Sequence, residues 1–145
     1  MTGKTALITG AGRGVGAALA ERLAKSGAAV VVNDLDREPA NTTVENIKRK
    51  GGEALALYGN VTDDDFGQTA VECMLDNYGG IDIIVNNAGY IWNSSIHKTS
   101  DEQWEAMLSC HATAPFKILR AASTFIRGAA AKEEAENRGF HRKVV

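Results

Sequence analysis

The segment Thr9-Gly10-Ala11-Gly12-Arg13-Gly14-Val15-Gly16 holds the residues most suited to chemistry in this chain. It follows an apolar run, Thr5-Ala6-Leu7-Ile8, and leads into Ala17–Ala24, whose apolar residues recur at helical spacing. A strand, a glycine turn and a helix in that order let backbone N–H groups approach a pyrophosphate at a helix start. A Cβ at Gly10 or Gly14 would obstruct the turn or that approach, and Gly16 lets the first helix pack closely. The segment is not a P-loop, because no Gly-Lys-Ser/Thr follows, and Val15 breaks the strict G-x-G-x-x-G register.

A second chemical position lies at Asp34, 20 residues after Gly14 and at the end of the apolar run Ala28–Val32. A dinucleotide fold places there the acid that accepts from the adenosine ribose hydroxyls. The competing reading is a turn aspartate closing a strand. A carboxylate at Asp34 favours NAD and repels the 2′-phosphate of NADP, whereas Arg13 and Arg37 pull the other way. The carboxylate is taken to decide, so NAD is expected and NADP is the less favoured cofactor.

The elements that must position these residues follow from periodicity. A helix is expected from about Arg13 to Lys25, ended by Gly27, and a strand over 28–34. Pro39 opens a helix over roughly 40–50, closed by Gly51-Gly52, and Glu53–Tyr58 reads as a third strand. Thr62 or Asp63 is expected to cap a third helix, with Asp63-Asp64-Asp65 at the positive end of its dipole rather than on a metal. Ile81–Val85 gives a fourth strand that ends in Asn86-Asn87-Ala88-Gly89, whose asparagine amides can tie strand ends together. A long helix should begin at Ser100 or Asp101 and run to about Arg127, bent at Pro115, which has no N–H for the His111 carbonyl. Arg142–Val145 reads as the start of a fifth strand.

Thr9, Gly10, Gly14 and Gly16, followed by Asn86-Asn87-Ala88-Gly89, resemble the short-chain dehydrogenase/reductase family. The resemblance covers essentially the whole chain but only the cofactor-binding half of such enzymes. It implies an α/β fold, a Rossmann-like doubly wound parallel sheet of order 3-2-1-4 with the start of strand 5, truncated at the carboxyl end and forming one dinucleotide-binding domain over 1–145. It places the cofactor on Gly10, Arg13, Gly14, Val15, Asp34, Leu35, Asn60, Val61, Asn87, Ala88 and Gly89. The alternative for Asn60 is a mere Asx turn, and Tyr90 and Trp92 are equally readable as a substrate wall or as loop packing. His111 falls where the family usually carries a catalytic asparagine, whose main chain holds a water in a proton relay, so a changed side chain is tolerable there. Histidine at this place, with Val32-Asn33-Asp34-Leu35, is similar to a subgroup that includes dehydrogenase units of multifunctional β-oxidation enzymes. The implied substrate is therefore a secondary alcohol or ketone, of 3-hydroxyacyl or related type. The long helix implies a homo-oligomer, a dimer or tetramer, with a wholly intrachain role as the alternative.

The family's serine and Tyr-x-x-x-Lys are absent: Thr62, Asp82 and Ser94 stand four places after Tyr58, Tyr78 and Tyr90. The chain is accordingly expected to be inactive alone, as the front portion of an oxidoreductase; the alternative is a short, non-catalytic nucleotide-binding or interaction protein. With 145 residues there is room for one domain, and a net charge of −2 with scattered basic residues favours neither nucleic acid nor an anionic membrane. Cys73 and Cys110 lack C-x-x-C spacing and read as reduced thiols of a cytoplasmic protein; no metal site is expected.

Overall fold

In a computed structural model, which describes every residue except 138, 140 and 141, the chain forms a parallel sheet of five strands in the order β3-β2-β1-β4-β5. The strands are β1 (Thr5–Ile8), β2 (Ala29–Asp34), β3 (Glu53–Tyr58), β4 (Ile83–Val85) and β5 (Lys143–Val144). Alternation along them divides the core. Ala6, Ile8, Val30, Val32, Ile83 and Val85 face helices α1 (Gly14–Lys25) and α2 (Arg37–Arg49). Leu7, Val31 and Ile84 face α3 (Phe66–Tyr78) and α5 (Ala114–Ala135), where they meet Met74 and Ile118. Each fully buried aliphatic side chain of this kind contributes about 1.5–3 kcal/mol from area removed from water. Both faces being covered along β1, β2 and β4 explains why those strands are mostly apolar.

The helix ends follow from local chemistry. At the end of α1, Gly27 takes φ +93° and donates to the Ala24 carbonyl, while Ala28 donates to Leu23, which is the paired Schellman arrangement. Gly51 and Gly52 close α2 in the same way on Lys48 and Ile47. Helix α2 begins at Arg37 rather than near Ala40, because Pro39 is tolerated inside a first turn whose amides need no carbonyl partner.

Helix α3 starts at Phe66, later than the sequence suggests, and no side chain caps it. Asn60 spends the preceding residues in turns: its Oδ1 accepts from Thr62 N–H at 3.1 Å and its carbonyl from Asp63 N–H at 3.0 Å. Asp64 pairs instead with Lys117 Nζ at 2.7 Å, and that ammonium holds its carboxyl below the usual range. Strand β4 is likewise shorter than expected, since Asp82 turns to Lys4 Nζ (2.7 Å) and the Thr5 N–H (3.0 Å).

The expected long helix is three segments. Helix α4 (Asp101–Leu108) begins with Ser100 and Gln103 in a reciprocal capping box, then Ser109–Thr113 form a π turn, and α5 follows with Pro115 in its first turn. The irregularity thus precedes Pro115. Arg142 fastens the far end, forking onto Glu133 at 2.6 and 3.0 Å and donating to the Ile81 carbonyl at 3.2 Å.

Tyr78 closes α3 against the sheet, and its phenol is pushed up to about 12, first by burial and then by the carboxylate of Glu53 and by Cys73. Its ordinary value is 10.0, so the native state holds the proton more tightly than the unfolded chain. This contribution to stability is complete below about pH 10 and lost as pH rises towards 12. An ultraviolet phenolate titration should show one tyrosine ionising last, with thermal stability falling over the same window. Three tyrosines titrating together near 10 in folded protein would contradict it.

Candidate functional site

Strands β1, β2, β3 and β4 deliver their carboxyl ends to one edge of the sheet, and the chain leaves each there by a tight turn. The resulting cleft, of about 380 Å³, is lined by Gly10, Arg13, Asn33, Asp34, Leu35, Gly59, Asn60, Val61, Asn87, Ala88, Gly89, Tyr90 and Cys110. Nine of the eleven cofactor positions singled out from sequence therefore meet in one hollow: Gly10, Arg13, Asp34, Leu35, Asn60, Val61, Asn87, Ala88 and Gly89. Gly14, Val15 and His111 do not line it. Val15 is 76% exposed at the start of α1, and Gly14 takes φ +59° with open space where a Cβ would point.

The glycine turn is held shut from two sides. Asn87 Nδ2 donates to the carbonyls of Thr9 (2.9 Å) and Gly10 (3.0 Å). Thr9 Oγ1 accepts from the N–H groups of Asn87 and Ala88, each at 3.0 Å, and donates to the Val85 carbonyl at 3.4 Å. Gly10, at φ +61°, lies so close to Ala88 that a Cβ would sit 2.8 Å from its Cα. Gly12 is equally constrained, since a Cβ there would meet Asp34 Oδ2 at 2.7 Å and Pro39 Cβ at 2.8 Å. No side chain caps α1, whose N-cap is Arg13, so its first amides have no side-chain capping acceptor among the described residues.

Asp34 is 9% exposed. Its Oδ2 accepts from the Gly12 N–H at 2.8 Å and its Oδ1 from the Asp36 N–H at 3.1 Å. Each carboxylate oxygen keeps acceptor capacity towards the cleft. Asp34 thus serves both as the closing residue of the β2 turn and as a charged group on the cleft wall. Asn33, buried beside it, donates to the carbonyls of Leu57 and Gly59, each at 3.1 Å, and joins the ends of β2 and β3.

At the other end of the cleft, Tyr90 follows Gly89, and His111 Nε2 lies 2.8 Å from the Tyr90 carbonyl. A carbonyl only accepts, so Nε2 carries the hydrogen in that bond. The imidazole packs on Gly89, where a Cβ would come within 2.5 Å of His111 Cε1. The side of Gly89 on which a Cβ would stand is therefore taken by the His111 imidazole. The π turn that carries His111 is closed by the Ala114 N–H on the Ser109 carbonyl, and such turns often mark functional positions. Tyr90 and Trp92 pack edge to face with centroids 5.2 Å apart, yet only Tyr90 lines the cleft. Cys110 also lines it, with Sγ 3.8 Å from the Ala88 carbonyl, and burial pushes its thiol up.

Sequence reasoning placed Gly12 in the glycine turn without its contact to Asp34, and missed Asn33, Gly59 and Cys110 as cleft residues. A polar Asn33 at the end of a β-branched run was a visible signal, whereas Gly12 and Cys110 become legible only through their partners. Among the described residues no group of three or more His, Cys, Asp or Glu side chains could hold a metal, and no helix is long and apolar enough to cross a membrane.

Residues 4–133 match the family model of the short chain dehydrogenases. Over 129 residues the chain is 40% identical to the peroxisomal multifunctional enzyme type 2 of Mus musculus, covering 83% of this chain and 17% of that enzyme. The crystal structure of a short chain dehydrogenase from Mycobacterium avium superposes with a TM-score of 0.88 at 31% identity, over 99% of this chain and 52% of that one. A metagenomic short-chain oxidoreductase in complex with NADP superposes with a TM-score of 0.81 at 32% identity, over 96% of this chain and 60% of that one. The chain thus spans no more than about 60% of any of these three proteins. These matches lend no support to a non-catalytic interaction protein.

Proposed function

The chain belongs to the short chain dehydrogenase family, and on that premise we propose that its cleft binds NAD as the cofactor-binding portion of an oxidoreductase acting on a secondary alcohol or ketone. The observation that supports this best is the convergence on one hollow of the glycine turn, the buried Asp34 carboxylate, Asn60-Val61 and Asn87–Gly89. The uncapped start of α1 and the open space before Gly14 suit a pyrophosphate, so Gly10, Arg13, Gly14 and Val15 are assigned to it. Asp34 and Leu35 are assigned to the adenosine ribose, Asn60 and Val61 to adenine, and Asn87, Ala88 and Gly89 to the nicotinamide side. When bound, the nicotinamide supplies two-electron exchange with the substrate carbon.

NAD is preferred to NADP because a buried carboxylate at Asp34 meets a 2′-phosphate with like charge, a larger penalty than an exposed arginine offsets. The NADP in the metagenomic relative belongs to that protein. His111 is assigned a positioning role: its side chain fixes Tyr90 at the cleft mouth, and its carbonyl, which Pro115 cannot serve, is assigned to an ordered water. A 3-hydroxyacyl or related substrate is the reading most consistent with that histidine. The exposed Trp104, Leu108 and Phe116 on α4 and α5 support a homo-oligomer, and the free thiols Cys73 and Cys110 support a reducing, cytoplasmic setting.

Titration calorimetry of the purified protein with NAD and with ADP-ribose tests the cofactor reading. Saturable binding of both is expected, because the adenosine and pyrophosphate half carries most of the assigned contacts. Failure of folded protein to bind either nucleotide would sink the reading.

A further inference from the structure

Arg13 ends the glycine turn with its backbone extended, at φ −152° and ψ 172°, and its guanidinium is paired with the carboxylate of Asp36. Asp36 is the N-cap residue of α2, yet its carboxylate makes no bond to that helix. An aspartate in this position ordinarily accepts from the first amides of its helix. Here the acid is committed across the turn to Arg13 instead.

The location gives the pair its meaning. The Asp36 N–H is held by Asp34 Oδ1 at 3.1 Å, while Asp34 Oδ2 holds the Gly12 N–H at 2.8 Å. Arg13, Asp34 and Asp36 are therefore joined into one unit at the ribose end of the cleft. Beyond them opens a second, shallower hollow of about 730 Å³, and Arg13 and Leu35 line both hollows. A phosphate carried by a ribose at Asp34 would need its counter-charge where the two hollows meet. The cations there are Arg13 and, further along, Arg37, which is itself engaged, its guanidinium carbon 4.7 Å from the centroid of the Tyr58 ring.

We propose that Asp36 is a cofactor-specificity residue: by pairing with Arg13 it withholds a guanidinium from ribose 2′-phosphates. Nucleotides with a free 2′-hydroxyl are accepted, and 2′-phosphorylated ones are refused. This rests on the cofactor reading above and goes beyond it by naming the residue that neutralises Arg13. An exposed ion pair adds little to folding, so the arrangement can be altered without unfolding the chain. A bidentate arginine–phosphate contact, by contrast, is among the stronger charge-assisted interactions.

The test compares NAD and NADP binding by calorimetry in wild-type protein, Asp36→Asn and the double variant Arg13→Ala/Asp36→Asn, with circular dichroism confirming the fold of each. Asp36→Asn is expected to shift the NAD-to-NADP affinity ratio at least about ten-fold towards NADP, and the double variant to lose most of that shift. A ratio unmoved in Asp36→Asn, in protein that still binds NAD, overturns the proposal while leaving the cofactor reading intact. A shift fully retained in the double variant also overturns it, because Asp36 would then act by its own charge and not by withholding Arg13. Wild-type protein that binds neither nucleotide removes the cofactor reading and this inference with it.

Discussion

Asp34→Ala is expected to lower NAD affinity by about 10- to 100-fold, because hydrogen bonds to a charged acceptor contribute about 1.5–3 kcal/mol each. The same carboxylate closes the β2 turn, so the substitution also strips the Gly12 N–H of its acceptor. That amide belongs to a buried residue, and leaving it unpaired costs about 1–3 kcal/mol of stability. Binding and folding losses must therefore be read separately, by calorimetry below the melting transition and by denaturant titration. Asp34→Asn divides the two effects: its amide oxygen can keep one backbone donor, while its NH₂ faces other donors and its charge is gone. An alanine variant that stays folded and binds NAD within about two-fold of wild type would show that the ribose is held elsewhere.

Much of this site was legible because its backbone features are local. The apolar runs ending at Ile8, Val32 and Val85 announce strands buried on both faces, and the turns that follow them fall at the carboxyl edge of a parallel sheet. What escaped were side chains whose role depends on a distant partner. Gly12 looks like an ordinary turn glycine until the Asp34 carboxylate and Pro39 are brought against it. The acidic run before α3 has the composition of a helix cap, but Asn60 takes up the local amides and Lys117, 53 residues on, takes Asp64. His111 shows the same division. Pro115 announces irregular helix nearby, while the bond from its imidazole to Tyr90 requires the fold of a loop that sequence leaves undefined. Local chemistry fixes turns and caps; competition from tertiary partners decides which of the available caps is used.

Gly16→Ala sets two such effects against each other, and magnitudes decide between them. Inside a helix alanine is favoured over glycine by about 1 kcal/mol, so propensity alone predicts a stabilised α1. The structure predicts the reverse. A Cβ on Gly16 would lie 2.5 Å from Asn87 Nδ2, 2.9 Å from Ala11 Cα and closer still to the Gly10 carbonyl. Asn87 cannot retreat freely, because that nitrogen bridges the Thr9 and Gly10 carbonyls at 2.9 and 3.0 Å. Relieving the contact means shifting backbone or breaking those bonds, costs of about 1–3 kcal/mol each. Net destabilisation of about 2–4 kcal/mol follows, together with weakened NAD binding, since the same clamp shapes the turn. Gly14→Ala is the control, where a Cβ meets nothing within 4 Å and only the positive φ of +59° opposes it, a cost of about 1–2 kcal/mol. Denaturant unfolding of both variants would therefore rank Gly16→Ala as the more damaging. The opposite order would mean that helix propensity, and not the Asn87 clamp, governs the start of α1.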